Sequence, residues 1–416
     1  MVKMWSWLTA AALVLAIAAP AAAQGEQARV AGTVRDQSGA FFGGAKVIAT
    51  NERTGEERSA ESNEKGYYLV AGLKPAQYTL RAQKAGFAPI EYTGLTLGAG
   101  QELVVDLEFQ PEGVTQAVTV VGSAPVLDVS SAKMGANVSE REVQGLPVNG
   151  RQMSQLMLQA PGSQNAGTGT WNDVRFSGRA VEQNVIKYDG IEGSGVIDSA
   201  PGVANGENNT PFKLQASLEN VQEFRIESSA YPAEFGTGTG GQISVVTKSG
   251  ANAFHGNVFE YARRDRFDAR NYFDSLRNAD GSKISEGPKS PLTLDQFGGS
   301  VGGPIAENKA FFFGSYEGYR LDAGLNFVEA VPSDAAWARA VPAVAPLRPG
   351  FLAPGAVILP GASTNPDFDI AQNQSTQHVD ENAFSGRVDL RVNNNWSSYV
   401  RVFRDGGTND EPQGVT

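Results

Sequence analysis

Cysteine is absent from this 416-residue sequence, and histidine occurs only twice, at His255 and His378. The lack of cysteine excludes disulfide bonds and thiolate metal sites. His378 and Glu381 have the His-x-x-Glu spacing of some zinc sites, but no second histidine lies downstream to complete a ligand set. We therefore interpret His378 as a loop residue and expect no metal and no other cofactor.

Long apolar runs are also missing beyond the N-terminus. Lys3 precedes an apolar run at residues 8–19, which is too short to cross a bilayer as a helix. Small residues then lead into Gln24, as at a signal-peptidase site. We predict that residues 1–23 are a signal peptide, with Ala21, Ala23 and Gln24 at the cleavage site; the alternative is a single anchoring helix. Any other membrane-spanning segment would have to be a strand.

Basic residues are too few for a nucleic-acid-binding protein, since 45 acidic residues against 34 basic ones give a net charge of −11. Motifs typical of enzymes are missing as well: we find no nucleophile elbow, no phosphate-binding glycine loop and no acid–base pair. We therefore expect no catalytic residues and no enzymatic activity. The 48 glycines favour a loop-rich β protein, with two or three domains at this length.

Residues 24–112 are predicted to form one small β domain. Short runs rich in valine, tyrosine, threonine and leucine alternate there with turn residues such as Lys65-Gly66. Five or more strands at this spacing predict a small β-sandwich. The runs lie at residues 30–34, 45–50, 67–70, 78–82 and 103–109.

Four short motifs in this domain are Gly32-Thr33-Val34, Gly44-Ala45-Lys46-Val47, Gly66-Tyr67-Tyr68 and Ala85-Gly86-Phe87. They resemble the carboxypeptidase regulatory-like domain, which implies a transthyretin-like, carbohydrate-binding-like β-sandwich. The resemblance does not imply peptidase activity, because that chemistry needs a zinc ion held by histidine and carboxylate ligands. The sequence contains no such ligand set.

The segment after Pro111 differs in composition. Residues 116–122 form a short, uncharged, extended stretch bounded by glycine on both sides. We weigh two interpretations equally, because they have the same sequence pattern. The stretch is either an ordinary first strand or linker of the next domain, or a strand that pairs with the sheet edge of a partner protein. The candidate contact residues are Ala117, Val118, Thr119, Val120 and Val121.

Residues 126–250 have a mixed α and β pattern. Two short helices are predicted at residues 140–144 and 151–159, with Met153, Leu156 and Met157 of the second facing a core. The long glycine-rich loops at residues 162–172 and 193–211 favour a binding role. Strands are predicted at residues 174–176, 184–188, 221–228 and 241–248.

Beyond Gly250, apolar and polar residues alternate along candidate strands. At residues 384–392, apolar positions alternate with charged ones such as Arg387 and Asp389, and Trp396 occupies an interfacial position. This pattern is typical of a barrel wall, although a water-soluble sheet packed on one face has the same alternation. The candidate strands 256–262, 295–302, 309–319, 383–392 and 396–404 are joined by long connections (263–294 and 320–382) and short turns (303–308 and 393–395), as in outer-membrane barrels.

Five motifs follow in order: residues 146–151 (Leu-Pro-Val-Asn-Gly-Arg), 175–178 (Arg-Phe-Ser-Gly), 189–190 (Asp-Gly), 219–224 and 240–250. They resemble the plug of TonB-dependent outer-membrane receptors. Because the predicted β-sandwich precedes them, the chain is most similar to the Oar-like branch of that family. The resemblance implies a mainly β chain: the sandwich, an α+β plug at residues 113–250 and the first strands of an incomplete transmembrane antiparallel β-barrel at residues 251–416. The matching plug residues are Asn149, Gly150, Arg151, Arg175, Gly178, Asp189, Gly190, Glu223, Gly240 and Gly241.

This resemblance implies an outer-membrane transporter that moves a large or scarce solute through a plugged barrel. Its expected partners are a TonB-type periplasmic energy-coupling protein, an unidentified solute and outer-membrane lipid, but no nucleic acid. Since about 22 strands close a barrel around a plug, we expect this chain to be an N-terminal fragment. The alternative is a secreted adhesion or carbohydrate-binding protein built on the sandwich.

Overall fold

The computed structural model describes most of the chain between Gln27 and Pro412. The predicted signal peptide with Ala21, Ala23 and Gln24 lies outside the described residues, as do Ala117, Val118, Asn149, Gly150 and the predicted binding loop at residues 193–211. The described residues are 27–112, 119–121, 134–148, 151–165, 174–192, 217–231, 235, 238–270, 275–277, 282–286, 289–352, 354–393, 396–410 and 412.

Residues 27–112, here called the N-terminal unit, form two β-sheets around one core. The strands are β1 (Ala28–Asp36), β2 (Lys46–Asn51), β3 (Glu57–Glu61), β4 (Tyr67–Leu73), β5 (Ala76–Gln83), β6 (Ile90–Leu97), β7 (Glu102–Val104) and β8 (Leu107–Phe109), and β9 (Thr119–Val121) adds to them. One sheet contains β4, β1, β7 and β8, and the other has the order β3-β2-β5-β6-β9. Alternate side chains such as Val30, Leu80 and Phe109 fill the shared core. The sequence pattern does not predict β3 or β6, because polar residues and Gly94 interrupt their apolar alternation.

Residues 134–248, the central unit, combine a five-stranded sheet with two short helices. The elements are β10 (Met134–Val138), α1 (Glu140–Gly145), α2 (Met153–Met157), β11 (Ser163–Asn165), β12 (Val174–Phe176), β13 (Val185–Tyr188), β14 (Ile191–Glu192), β15 (Val221–Ser229) and β16 (Gln242–Thr247). The main sheet has the order β10-β15-β16-β13-β14, and β11 pairs with β12. The Glu142 carboxylate accepts a hydrogen bond from the Ser139 N–H at 2.8 Å, which caps α1 where a helix was predicted.

Helix α2 is shorter than the predicted helix at residues 151–159. Arg151 has a left-handed φ of 51°, which an α-helix does not accommodate, so the helix begins only at Met153. Met153, Leu156 and Met157 are buried in the core of the central unit, as their spacing predicts. Within the part of the chain that the structure describes, no helix has the length and apolar composition needed to cross a bilayer.

Residues 255–410, the strand unit, form a sheet of long antiparallel strands. The elements are β17 (His255–Arg264), β18 (Ser275–Arg277), β19 (Lys283–Glu286), β20 (Leu292–Ala306), β21 (Ala310–Pro332), α3 (Asp334–Ala338), β22 (Val357–Leu359), β23 (Phe368–Arg391) and β24 (Ser397–Asp410). The sheet runs β17-β20-β21-β23, with β22 and β24 both paired to β23, while β18 and β19 form a separate hairpin. All five predicted strands are confirmed, and each of them is longer than predicted.

The prediction of a long loop at residues 320–382 is wrong over much of this range. Strand β21 continues to Pro332 and β23 begins at Phe368, and the register pairs these two residues with each other. The polar side chains of this region lack the apolar alternation from which a strand is predicted. Main-chain pairing does not require apolar residues, so the strands form nevertheless. His378, predicted in a loop, therefore lies on β23. At about 3.4 Å per residue, the 23 residues of β21 span about 78 Å, well beyond a hydrocarbon layer of about 30 Å.

Candidate functional site between the central unit and the strand unit

The strand unit exposes apolar side chains on one face and buries charged side chains on the other. Val258 and Val402 are 92% and 66% exposed, whereas Arg387 and Asp389 are 8% and 7% exposed. A water-soluble sheet has the opposite arrangement, and an apolar outer face is what a lipid environment requires. The alternation predicted for residues 384–392 is confirmed, and its charged face contacts the central unit.

A first group of buried polar residues joins the central unit to β17 and β21. Arg151 Nη2 donates to Glu219 Oε1 at 2.8 Å, and Arg151 Nε lies 3.7 Å from Glu317 Oε1 on β21. Asn257 on β17 donates to Glu219 Oε2 at 2.7 Å. The Ser217 hydroxyl donates to the Glu317 carboxylate. Glu219 therefore accepts hydrogen bonds from both units. Glu317, on the strand unit, contacts two side chains of the central unit.

Aromatic rings of β17 cover the guanidinium of Arg151. Its Cζ lies 4.5 Å from the ring centre of Phe259 and 4.6 Å from that of Tyr261, which are cation–π distances. Lys248 Nζ lies 3.9 Å from Glu219, and burial lowers the pKa of Lys248. We call this group the Arg151 cluster; it consists of Arg151, Ser217, Glu219, Lys248, Asn257 and Glu317.

A second group joins the central unit to β23 and β24 through Asp189. Asp189 Oδ2 accepts hydrogen bonds from Arg387 Nη1 at 3.1 Å and from Arg401 Nη1 at 2.8 Å. Thr247 donates to both carboxylate oxygens, from its N–H at 2.9 Å and from its hydroxyl at 2.6 Å. The Tyr399 hydroxyl donates to the main-chain oxygen of Asp189 at 3.2 Å. One aspartate thus contacts two neighbouring strands.

Arg387 is the most connected side chain of this group. Its Nε and Nη2 donate to the two oxygens of Asp389 at 2.8 and 2.9 Å, and its Nη1 donates to the Thr247 hydroxyl at 2.6 Å. Its Cζ lies 4.4 Å above the ring of Tyr399. We call this group the Asp189 cluster; it consists of Asp189, Thr247, Arg387, Asp389, Tyr399 and Arg401.

Each cluster contains two cationic and two anionic side chains, so its formal charges cancel. Burying charge is costly, and a paired buried charge contributes little net stability, but removing one partner typically costs about 3–5 kcal/mol. The clusters therefore fix the register of the central unit against the strands more than they add stability. They can come apart once water reaches the charges, because the attraction falls steeply as the surrounding dielectric rises.

Backbone strain occurs at the two central-unit residues that anchor the clusters. Arg151 and Asp189 have φ angles of 51° and 48°, in the left-handed region that side chains other than glycine rarely adopt. Such strain persists only where the surrounding structure imposes it. At both positions the unusual backbone aims a charged side chain across the contact with the strand unit.

The N-terminal unit contacts a different part of the central unit, through Glu223 on β15. The Ala99 N–H donates to the Glu223 carboxylate, and Arg225 Nη1 donates to the Ala99 main-chain oxygen at 3.1 Å. Burial raises the pKa of Glu223 to about 7, with a smaller contribution from Glu140, while the Ala99 N–H and Arg225 act in the opposite direction. The carboxyl group is therefore partly protonated at neutral pH.

The N-terminal unit also contacts the strand unit. Arg391 Nη1 donates to the Gly55 oxygen at 2.9 Å, and the N–H of Asn252, just ahead of β17, donates to the Arg53 oxygen at 3.0 Å. A cavity of about 160 Å³ lies where the three units meet, and Lys74, Gln222 and Asp389 are among its lining residues. Residues of all three units therefore border this cavity.

No group of three or more possible metal ligands occurs among the residues described here. His378 Nδ1 lies 2.5 Å from Asp322 Oδ1 on the neighbouring strand, and both side chains are exposed. Glu381 is buried, because residues three positions apart on a strand face opposite sides of the sheet. The His-x-x-Glu spacing therefore does not bring the two side chains together.

Two family models match parts of the chain: a carboxypeptidase regulatory-like domain at residues 29–110 and an outer membrane beta barrel domain at residues 246–341. Over 304 residues, 71% of the chain, it is 31% identical to the TonB-dependent transporter Oar of Myxococcus xanthus. The chain belongs to the TonB-dependent transporter family. It spans 27% of the length of this relative.

Two solved structures resemble parts of the chain. The outer membrane transporter YddB from Escherichia coli is 12% identical, with a TM-score of 0.41, over 67% of this chain and 33% of that chain. The siderophore receptor PirA from Acinetobacter baumannii is 15% identical, with a TM-score of 0.38, over 66% of this chain and 32% of that chain. The barrel-domain match and the Oar relative assign this TonB-dependent transporter homologue to the outer membrane.

The plug-motif residues predicted from the sequence of this TonB-dependent transporter homologue lie in several different parts of the structure. Arg151 and Asp189 anchor the two clusters, and Glu223 contacts the N-terminal unit. Gly190, with a φ of 82°, completes the turn between β13 and β14. Arg175 is half-buried on β12 and belongs to neither cluster.

The three remaining motif glycines have backbone roles. Gly178 has a φ of 73° in the turn after β12. A Cβ atom on Gly240 would overlap the Asn184 side chain, and one on Gly241 would overlap the Phe176 ring. These two glycines therefore allow β16 to begin directly against the core of the central unit.

Most partners of Arg151 and Asp189 were not predicted from the sequence. Arg387 was recognised as a charged position in an otherwise apolar strand, and that alternation was the available signal. Its partner could not be chosen, because Arg387 and Asp189 are separated by 198 residues in the sequence. Only the fold brings such positions together.

Proposed function

We propose that the chain contains the plug and first wall strands of an outer-membrane TonB-dependent transporter, which moves a large or scarce solute using energy from the inner membrane. The central unit would be the plug, and the strand unit would begin the wall. One observation carries this proposal: two buried, charge-balanced clusters connect the central unit to strands whose opposite face is apolar and exposed.

In this mechanism a TonB-type periplasmic energy-coupling protein binds the segment at residues 117–121 and pulls on the chain ahead of the plug. The ionic contacts hold only while water is excluded from them. A force that opens one side of the contact lets water solvate the charges, so that each cluster weakens in turn and the plug separates from the wall. The transported solute crosses the opened path without any change in its bonds.

Deleting residues 134–248 from the full-length gene product tests this function without a known solute. We expect the deletion variant, expressed in the outer membrane, to make cells permeable to a hydrophilic antibiotic that is too large for general porins, because the wall then encloses an open channel. Growth inhibition by that antibiotic is the measurement. The matched control is deletion of residues 29–110, which keeps the central unit and is expected to leave the cells resistant.

The proposal is wrong if the deletion variant reaches the outer membrane and the cells stay impermeable. It is also wrong if the full-length protein fractionates with the soluble periplasm and migrates identically with and without heating. That second result would favour the adhesion or carbohydrate-binding alternative.

A further inference from the structure

The turn between β2 and β3 of the N-terminal unit contacts the strand unit where the short turns of that unit lie. The Arg53 and Gly55 oxygens accept hydrogen bonds from Asn252, just ahead of β17, and from Arg391, the last residue of β23. Asn308, in the short turn between β20 and β21, lies beside Gly55. Outer-membrane barrels have their short turns on the periplasmic side. The N-terminal unit therefore contacts the end of the strand unit that is periplasmic in such a barrel.

Side-chain amides fix the shape of both partners in this contact. In the N-terminal unit, the buried Asn51 Oδ1 accepts hydrogen bonds from the Arg53 N–H at 2.9 Å and the Thr54 N–H at 3.1 Å. In the strand unit, the Asn308 N–H donates to Asn252 Oδ1 at 2.9 Å, and Asn252 Nδ2 donates to Asn308 Oδ1 at 2.8 Å. Two preformed turns therefore meet, so their association orders few additional groups.

The fit between the two turns is closest at Gly55. A Cβ atom at this position would lie 2.5 Å from Asn308 Oδ1, which is too close for any side chain. Because Asn252 holds that oxygen through a hydrogen bond, the Asn308 side chain cannot move aside without losing the bond. The contact therefore depends on the absence of a side chain at one position of the N-terminal unit.

The same N-terminal unit also contacts the central unit, through other turns. Besides the Ala99 contacts described above, the Pro75 oxygen accepts a hydrogen bond from Gln222 Nε2 at 2.9 Å. Arg53 Nη1 lies 3.8 Å from Glu140 Oε2 on α1. Arg53 thus contacts the strand unit with its main-chain oxygen and the central unit with its guanidinium. Since the strands of the N-terminal unit share one core, this unit links the other two as a single body.

We propose that the N-terminal unit is a clamp that fastens the central unit to the strand unit, and that it must release one of them before the two clusters can separate. This inference rests on the function proposed above and concerns its regulation. When one cluster opens, the clamp keeps the two units close together, so the charged side chains pair again before the units move apart. Loss of the clamp alone does not open a channel, because both clusters remain.

Cysteine labelling in the full-length protein measures how often the central unit separates from the strand unit. This sequence contains no cysteine, and any cysteine in the rest of the full-length protein is replaced by serine. The reporter is Ser217→Cys, because Ser217 is buried and its hydroxyl donates to Glu317 across the contact. A water-soluble maleimide therefore labels position 217 faster when the units separate more often. The control reporter is Ser154→Cys, buried on α2, which measures unfolding of the central unit itself.

Gly55→Asn is the variant that disrupts the clamp, and Gly39→Asn is its matched control. Both glycines have left-handed φ angles, 66° and 83°, which asparagine tolerates better than most residues. A Cβ atom on Gly39 meets no described atom within 4 Å, so only the Gly55 variant disturbs the contact with Asn308. We expect Ser217→Cys to be labelled about fivefold faster or more in Gly55→Asn than in Gly39→Asn, with Ser154→Cys labelled equally in both.

A second variant, Asn308→Gly, changes the strand unit and leaves the sequence of the N-terminal unit intact. Glycine keeps the left-handed backbone of this turn but removes the amide pair with Asn252. We expect Asn308→Gly to accelerate labelling of Ser217→Cys about fivefold or more in the full-length protein. In the protein that lacks residues 29–110 the same change should have less than about a twofold effect, because the clamp is already absent.

Three results would overturn the clamp. The first is equal labelling of Ser217→Cys in Gly55→Asn and Gly39→Asn. The second is an acceleration by Asn308→Gly that persists without residues 29–110, because the defect then lies in the strand unit alone. The third is an equal acceleration at Ser154→Cys, which means that the central unit unfolds. None of them contradicts the proposed function, which the permeability of cells with the 134–248 deletion tests separately.

Discussion

Asp189 is shared by two arginines of neighbouring strands, Arg387 on β23 and Arg401 on β24. Replacing it by asparagine removes one of two negative charges that balance two buried positive charges. We expect Asp189→Asn to weaken the contact between the central unit and the strand unit by about 3–5 kcal/mol, the usual cost of an uncompensated buried charge. The measurement is hydrogen exchange of the β16 amides in the full-length protein, which should become faster.

A suitable control for this change is Asp322→Asn. Asp322 also forms an ion-pair contact on a long strand, but its side chain and that of its partner His378 are both exposed. Exposed pairs contribute little, so exchange in β16 should remain at the wild-type rate. Equal exchange in the two variants and the wild type would show that the Asp189 cluster does not hold the central unit.

At the scale of single elements, the outer face of the long strands decides whether they fit lipid. Val402 on β24 is 66% exposed and lies level with Val301 on β20, which is also exposed. We expect Val402→Arg to reduce the amount of folded protein in the outer membrane, because arginine near the middle of a bilayer costs about 2–4 kcal/mol on a barrel wall. Heat-modifiable migration of the outer-membrane fraction measures this amount.

Val341→Arg is the matched control for this strand variant. Val341 is 61% exposed, nearly as much as Val402, but it lies in the connection between β21 and β23. At position 341 the arginine faces water, so the amount of folded protein in the outer membrane should be unchanged. A similar loss in both variants would mean that exposure alone, and not lipid, determines the effect.

For the whole molecule, the docking of the N-terminal unit on the central unit should depend on pH through Glu223. Burial raises the pKa of this carboxyl group from its ordinary value of 4.5 to about 7. We expect docking to supply part of that burial, so that the docked form binds a proton more tightly than the undocked form. Docking is therefore strongest below about pH 4.5, weakens as pH rises through 7 and is constant above that. The total change is at most on the order of 3 kcal/mol, the limit that applies if docking supplies all of the burial.

The protection factor of the Ala99 amide in hydrogen exchange measures this docking, and we expect it to fall between pH 6 and pH 8. Glu223→Gln keeps a carbonyl oxygen for the Ala99 N–H but cannot titrate, so its protection factor should be the same at both pH values. Glu64→Gln, on the exposed surface of the N-terminal unit, should behave like the wild type. A fall in protection that persists in Glu223→Gln would assign the pH dependence to another group.

Local patterns predicted much of the secondary structure. Residues 384–392 were placed with apolar side chains out and charged side chains in, because a two-residue period depends only on neighbours in the sequence. Helix α1 was predicted from its local residue pattern for the same reason. The far halves of β21 and β23 were missed, since their polar residues are extended only because each strand pairs with the other.

The amino-acid sequence by itself determined the mainly β class, the strands with one apolar face, and the positions of Arg151 and Asp189, because propensity, alternation and short motifs are properties of adjacent residues. Only the tertiary structure decided which side chains neutralise those two residues, where Glu223 docks and which strand β9 joins. Those partners lie up to 212 residues apart, and a charge carries no local signal of the opposite charge that folding will place beside it.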